Sequence, residues 1–181
     1  MITQQLMLRQ IHHRPTSEPG PARFLATAPQ PLDRAFNRAV HHIAGVLLPN
    51  GFDVGDNASG YIGLRAHYEA TGRICVWSGG SEHTIFADRE TNYAFRAWHD
   101  WRHLTGNHDF TPEGELEVYW AQEGDISRVY GAYPREWRTI LWAEIVGQGE
   151  YERANGTFPQ DQMAFVKCYL QVPTLALTKE F

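Results

Sequence analysis

Two imidazoles and two carboxylates lie close together near the middle of this sequence, at His99, Asp100, His103 and Glu115. Because an α-helix has about 3.6 residues per turn, His99 and His103 share one face of a helix and direct two nitrogens to the same side. Asp100 lies about 100° further round, within reach of that site. Two nitrogen and two oxygen ligands suit a divalent ion, zinc best, with iron or manganese as alternatives. The spacing therefore predicts a metal site made of these four residues.

The two segments that carry these residues have the start and stop signals of neighbouring helices. A helix predicted over about 89–105 begins after the N-cap residue Asp88 and ends at Gly106. A second helix begins after Thr111, which precedes a proline at the first helical position. This second helix carries Glu115 in its first turn. If the two helices pack side by side, Glu115 lies opposite the histidine pair.

The rest of the chain predicts a mainly α fold with a small β hairpin. Apolar spacing predicts further helices in four places, namely after Asp33, over about 61–71, over about 134–155 and from Pro159. The hairpin pairs Arg73–Trp77 with His83–Phe86 across a Ser-Gly-Gly-Ser turn. Five prolines in residues 14–32 prevent a continuous helix, so residues 1–32 are predicted as an extended N-terminal arm. Residues 33–181 are predicted as a single helical metal-binding domain.

Composition and charge exclude several classes of protein. The chain has 181 residues, of which 43% are hydrophobic and 20% charged, values that are ordinary for a globular domain with a core. Its formal net charge of −5 offers no basic field to a nucleic-acid backbone. No apolar run approaches the ~20 residues that span a bilayer, and the first residues are too polar for a secretory signal. We therefore expect a cytoplasmic protein with no membrane span and no nucleic-acid partner.

The pattern His99-Asp100-x-x-His103, followed after eleven further residues by Glu115, resembles the metal motif of the coenzyme Q biosynthesis protein 4 family. Gly114 also matches the Gly-Glu pair that is usual in that family. The resemblance implies a mainly helical fold and a zinc-type site made by the four motif residues. It also implies action on a quinone-precursor ring, from which the family is associated with removal of a carboxylate. The match covers about 17 of the 181 residues.

A non-catalytic role is an alternative. The segment Asn92–Asp100 is similar to uncharacterised proteins of tailed bacteriophages, which implies a viral accessory protein in the host cytoplasm. In such a protein the ion ties two helices together, while the arm and an aromatic surface bind a protein partner. Sites with four protein ligands are usually structural, whereas catalytic sites keep a position open for water or substrate. A fully four-ligand site would therefore favour this role.

Two hydrolase patterns also compete. In a zincin-like hydrolase, Asp109 is the third ligand after His99 and His103, but Asp100 stands where a longer Glu normally activates water. In an HD-type phosphohydrolase, His99 and Asp100 join a distant histidine and a distant aspartate on one or two ions. The candidates for these distant ligands are His41, His42, His67, Asp125 and Asp161.

Two carboxylates are candidates for catalysis. Asp100 is a metal ligand or its close partner. Glu144 falls on an otherwise apolar helix face beside Leu141 and Ile145, where it is a further ligand or an acid–base group. In an enzyme, the ion polarises a carboxylate or carbonyl of a small-molecule substrate, or lowers the pKa of a bound water. The sequence thus predicts a zinc-type metal-binding protein and, in its catalytic form, a lyase or hydrolase.

Overall fold

The computed structural model describes residues 29–56 and 60–181, and most of this part of the chain is helical. In chain order, the elements are α1 (Arg34–Leu47), β1 (Asp53–Gly55), α2 (Gly60–Thr71), β2 (Cys75–Trp77), α3 (Arg89–Gly106), α4 (Pro112–Tyr130), α5 (Arg135–Trp142), a π-helical turn (Ala143–Gly147), α6 (Gln148–Asn155), α7 (Gln162–Tyr169) and α8 (Pro173–Ala176). The predicted mainly α class is confirmed. Among the described residues, no helix has both the length and the apolar character to span a bilayer. Residues 1–28 of the predicted arm lie outside the described part of the chain.

The small sheet differs from the predicted hairpin. Strand β1 pairs in parallel with β2, and Val54 lies opposite Val76. Helix α2 connects the two strands, since a parallel pair needs a crossover rather than a tight turn. The expected partner segment His83–Phe86 is not a strand. Its residues Ile85 and Phe86 are successive and both buried, whereas the side chains of a half-buried strand alternate between core and solvent. The hairpin prediction is therefore wrong.

Helix α1 supplies the part of the core that faces α3. Asp33 caps this helix as predicted, because its Oδ1 accepts hydrogen bonds from Ala35 N at 2.6 Å and from Phe36 N at 2.9 Å. Its Oδ2 accepts a hydrogen bond from Trp137 Nε1 at 3.1 Å, so the same residue joins α1 to α5. The buried ring of Phe36 stacks on Phe86, with the ring centroids 6.3 Å apart. These contacts hold the loop before α3 in the core.

Helix α3 is capped at both ends. Asp88 Oδ1 accepts a hydrogen bond from Thr91 N at 2.7 Å, as the sequence predicts. The helix includes Gly106 and ends at Asn107, whose φ of 54° is left-handed and whose N–H donates to carbonyls of the last turn. Asn107 takes the role predicted for Gly106 because a short polar residue also adopts this conformation. Gly106 has a different reason to be glycine, since a Cβ atom there would lie 2.2 Å from the ring of His108.

A buried carboxylate holds α3 against α4. Asp125, which is 2% exposed, accepts hydrogen bonds from Trp98 Nε1 at 2.8 Å, from Arg102 Nε at 2.6 Å and from Arg128 Nη1 at 2.8 Å. Trp98 and Arg102 belong to α3, whereas Arg128 follows Asp125 on α4. Two guanidinium groups compensate the buried negative charge, which is the condition for burying it. This contact fixes the register of the two helices that carry the histidine pair and Glu115.

We expect the Asp125→Ala variant to lose about 3–5 kcal/mol of unfolding free energy, because it leaves the mostly buried Arg102 and the Trp98 N–H without their partner. Urea denaturation followed by circular dichroism measures this loss. The matched control is Asp161→Ala, which removes the N-cap of α7 and should cost about 0.5–2 kcal/mol. Equal losses in the two variants would contradict the role of Asp125.

Candidate metal centre

The structure brings three of the four predicted ligands together. His99 Nε2 lies 2.9 Å from His103 Nε2 and 3.3 Å from Glu115 Oε2, and His103 Nε2 lies 3.3 Å from Glu115 Oε1. One ligand atom from each residue lies within 4.8 Å of the other two. Bonds of about 2.0–2.1 Å to a shared ion separate two ligand atoms by about 2.9 Å at a right angle and by about 3.3 Å at the tetrahedral angle. The three side chains therefore form a group that could hold a metal ion.

The outer nitrogens of both imidazoles are already engaged. His103 Nδ1 donates to the backbone carbonyl of His108 at 3.0 Å, and His99 Nδ1 donates to Gln122 Oε1 on α4 at 3.2 Å. With the proton on each Nδ1, each Nε2 presents a lone pair. Two lone pairs 2.9 Å apart repel each other unless a proton or a cation lies between them. The donor set therefore fits a metal ion.

The charges in this group are strongly coupled. Burial opposes ionisation of Glu115, but the charge of His99 and hydrogen bonds from both imidazoles lower the pKa of Glu115 to about 2. Burial opposes protonation of His99, but Glu115 raises the pKa of His99 to about 9. Burial lowers the pKa of His103. Without a metal ion, the group thus holds a positive charge on His99 beside the carboxylate of Glu115. A bound cation would replace that positive charge.

Glu115 reaches the histidines because α4 begins very close to the preceding loop. Thr111 Oγ1 accepts a hydrogen bond from Gly114 N at 3.2 Å and caps the helix as predicted. A Cβ atom at Gly114 would lie 1.9 Å from the backbone carbonyl oxygen of Asp109. This close approach requires glycine at position 114, and it gives a physical reason for the Gly-Glu pair.

The group of three lies beside a cavity of about 740 Å³. His99 and Glu115 line this cavity, whereas His103 is fully buried. Aromatic rings also line it, those of Trp77, Phe95, Phe110 and Phe158. A volume of this size is typical of a site for a small molecule. The group is therefore reached from a pocket and is not sealed between the two helices.

Asp100 does not belong to the group of three, although it lines the same cavity. As the residue after His99, it points about 100° further round α3. Burial raises the pKa of Asp100 to about 6, and the charges of His99 and Arg96 oppose that rise. Its assignment as a fourth metal ligand stays a prediction.

Glu144 lies on another wall of the cavity, in the π-helical turn between α5 and α6. Turns of this kind occur frequently at functional sites. The side chain is 8% exposed, and its Oε1 has no hydrogen-bond partner among the described residues. Burial raises the pKa of Glu144 to about 8, against the opposing effects of Gln148 and Arg96. Glu144 does not belong to the metal-binding group, and its catalytic role stays a prediction.

The ligands expected from the two hydrolase patterns have other contacts. Asp109, the third ligand of the zincin pattern, accepts a hydrogen bond from Thr111 Oγ1 at 2.6 Å. The distant candidates of the HD pattern are also engaged: His41 with Thr91, His42 with Tyr130, His67 with Asp53, Asp125 with Trp98, and Asp161 as the cap of α7. Within residues 29–56 and 60–181, neither ligand set assembles into a group.

Two acceptors that orient the imidazoles, Gln122 and the backbone carbonyl of His108, were not predicted from the sequence. Gln122 lies two helical turns beyond Glu115 on the same face of α4, and this i, i+7 spacing is a signal that could have identified it. The other acceptor is the backbone carbonyl of His108. Its position depends on the turn of the chain at Asn107, which no side-chain pattern reveals.

Comparisons with family models, with curated proteins and with solved structures find no match for this chain. The geometry of the group and its cavity therefore carries the functional argument.

Loss of one imidazole should strongly weaken metal binding. We expect His103→Ala to weaken Zn²⁺ binding by more than about 100-fold, and Gln122→Ala, which removes only an orienting acceptor, to weaken it by about 10–100-fold. His42→Ala on α1 is the control and should bind like the wild type. Competition with a chromophoric chelator measures the three affinities. Unchanged binding in His103→Ala would contradict the site.

The close approach at Gly114 predicts a second effect on metal binding. We expect Gly114→Ala to push the first turn of α4 away from Asp109 and to weaken Zn²⁺ binding about tenfold or more, because ligand positions tolerate only small shifts. The matched control is Gly124→Ala in the same helix, where a Cβ atom meets nothing within 4 Å. That substitution should leave the affinity unchanged and stabilise the helix by about 0.5–1 kcal/mol. Equal zinc affinities for the two variants would refute this explanation of Gly114.

The buried carboxyl group of Glu144 predicts a pH dependence of stability in the metal-free protein. Its folded-state pKa of about 8 lies above the ordinary value of 4.5, so the folded state holds this proton more tightly than the unfolded state. The stabilisation from Glu144 is therefore complete below about pH 4.5 and is lost as the pH rises towards about 8. The loss is on the order of a few kcal/mol, since a tenfold change in proton affinity is about 1.4 kcal/mol.

Urea denaturation between about pH 5 and pH 8 tests this dependence. Glu144→Gln should lack the fall in unfolding free energy that Glu144 causes in the wild type. Glu152→Gln, which changes an exposed carboxylate of α6, should keep that fall. The same pH slope in Glu144→Gln and in the wild type would show that Glu144 is not a buried acid.

Proposed function

We propose that this protein is a zinc-dependent enzyme that acts on a small molecule bearing a carboxylate or a carbonyl group. The observation that supports this most directly is the meeting of His99, His103 and Glu115 beside the cavity, with His99 and Glu115 on its wall. Two nitrogens and one carboxylate oxygen are the ligand set of several catalytic zinc sites, and the same set also holds iron(II), so the choice of zinc is part of the proposal. The cavity gives a substrate access to the ion.

The number of ligands favours catalysis over a structural role. Structural zinc sites usually have four protein ligands, whereas catalytic sites have three and keep one position for water or substrate. Among the described residues, three side chains form the group, and two of them face the cavity. This arrangement supports an exchangeable position on the cavity side.

Each residue then has a distinct task. A bound ion would act as a Lewis acid and polarise a carboxylate or carbonyl oxygen of the substrate. His108 and Gln122 hold the two imidazoles in the tautomer that presents Nε2. Asp100, on the cavity wall beside His99, would accept a hydrogen bond from a substrate group bound next to the metal centre. Phe95 and Phe110 provide apolar walls against which the body of the substrate packs and which exclude water.

The resemblance to the coenzyme Q biosynthesis protein 4 family is part of this proposal. The meeting of His99, His103 and Glu115 supports a shared metal site. Action on a quinone-precursor ring, a lyase reaction and a bacteriophage origin are further expectations from the resemblances, and the geometry of the group does not depend on them.

Cobalt substitution tests the open position, because the visible spectrum of Co²⁺ reports its coordination. We expect the Co²⁺-loaded protein to change its absorption when acetohydroxamate, a small metal-binding carboxylate analogue, is added. We also expect zinc-loaded protein to turn over a member of a panel of β-keto acids, esters and amides, and His103→Ala to lose that activity. Ala44→Gly on α1, which destabilises the fold without touching the cavity, is the control for stability.

A Co²⁺ spectrum that does not respond to acetohydroxamate would show a closed site. The ion would then join α3 to α4 without taking part in catalysis. The alternative function, a non-catalytic protein that binds a partner, would then be correct. A protein that binds neither Zn²⁺ nor Co²⁺ would overturn both readings.

A further inference from the structure

Arg96 lines the cavity and forms no ion pair with the described residues. Its guanidinium donates from Nη1 to the backbone carbonyls of Trp77 at 2.7 Å and Gly79 at 2.6 Å, and from Nη2 to that of Gly80 at 3.1 Å. The ion pairs among the described residues do not include it. Three neutral carbonyls fix the group in place, and the carboxylates of Asp100 and Glu144 act on its charge without forming an ion pair with it. Its Nε–H and one Nη2–H have no partner among the described residues.

The loop that holds Arg96 is shaped to do so. A Cβ atom at Gly79 would lie 2.2 Å from the ring of Trp77, and Gly80 has a left-handed φ of 61°. A side chain at Gly79 would therefore require the indole ring to move, and the backbone at Gly80 adopts a conformation that favours glycine. The guanidinium carbon lies 5.6 Å from the centroid of that ring, which adds a cation–π contact. Arg96 is thus a pre-positioned cation on the cavity wall.

Glu144 is the second component. Its buried Oε1 lacks a hydrogen-bond partner among the described residues, and Gln148 hydrogen-bonds the same carboxyl group. An unsatisfied buried polar atom destabilises the fold unless a ligand supplies its partner. The charge of Arg96 acts on Glu144, yet no ion pair joins the two side chains. A group that accepts hydrogen bonds from Arg96 and from protonated Glu144 would satisfy both.

We propose that Arg96 and Glu144 form a second binding position in the cavity, which takes an oxyanion of the substrate, either a carboxylate or a phosphate. Under the proposed function, another oxygen group of the same molecule binds at the metal centre. The substrate is then a bifunctional acid that spans the cavity, with its apolar part along the aromatic walls. Glu144 acts here by binding the substrate, which replaces the acid–base role expected from the sequence.

Matched pairs of small acids test this position by titration calorimetry on zinc-loaded protein. Succinate, glutarate and adipate are each compared with their monomethyl esters, which have the same carbon chain between the two carbonyl groups but one charge fewer. Phosphonopropionate is compared with propionate, so that the two arms distinguish a carboxylate from a phosphate. We expect at least one diacid to bind about tenfold more tightly than its partner, the gain of one charge-assisted contact.

Variants locate the effect. Arg96→Gln should reduce the preference for the diacid to within about twofold, while zinc affinity stays unchanged. Glu144→Leu should reduce the preference, and Glu144→Gln should keep it because an amide N–H also donates. If Arg96→Gln fails to fold, Arg96→Lys takes its place. This variant retains the charge, and we expect it to keep part of the preference for the diacid. A preference that persists in folded Arg96→Gln overturns the proposal, as does zinc-loaded wild type that shows none.

A measurement without metal separates this proposal from the proposed function. Inorganic phosphate titrated into metal-free, ¹⁵N-labelled protein should shift the signals of Arg96 Nε–H and of the Gly79 and Gly80 amides. Arg96→Gln should show no shift of the two glycine amides. If zinc does not bind but these signals shift, the oxyanion position stands and the metalloenzyme does not. If zinc binds but phosphate and the diacids leave them unchanged, the oxyanion position alone is overturned.

Discussion

The structure depends on one contact, the meeting of two imidazole nitrogens and a carboxylate between α3 and α4. Bringing two Nε2 atoms within 2.9 Å of each other costs electrostatic energy, which a proton or a cation must offset. The surrounding residues keep this arrangement in place. Asp125 locks the register of the two helices, Gly114 lets α4 approach, and Gln122 fixes one ring. The polar interface between these helices thus serves the site and not only the fold.

The elements that position the site could be predicted from local signals. The caps Asp88 and Thr111 mark the starts of α3 and α4, because an N-cap side chain satisfies N–H groups within its own turn. The parallel pairing of β1 with β2 could not be predicted. Helix α2 connects the two strands, so no tight turn marks their pairing in the sequence. A short apolar run such as Ile85–Phe86 resembles a strand in sequence. In the structure it is a loop whose side chains are buried in the core.

The members of the group of three were predictable where they follow helix periodicity, as His99 and His103 do, and where a first-turn position is capped, as for Glu115. The remaining features depend on tertiary contacts. Arg96 lies one turn before Asp100, so the sequence favours an ion pair between them, yet the structure directs the guanidinium to loop carbonyls. The orientation of Glu144 depends on the π-helical turn, where one extra residue per turn rotates the face that the helix presents to the cavity.

The unequal exposure of the ligands has a kinetic consequence. His103 is completely buried, whereas the side chains of His99 and Glu115 are 18% and 24% exposed and face the cavity. An ion held by this group has its exit route through the cavity, past these two side chains. A molecule occupying the cavity would therefore stand in that route and slow exchange of the ion with a chelator. Retention of the ion and occupancy by substrate would then reinforce each other, without any change in the fold.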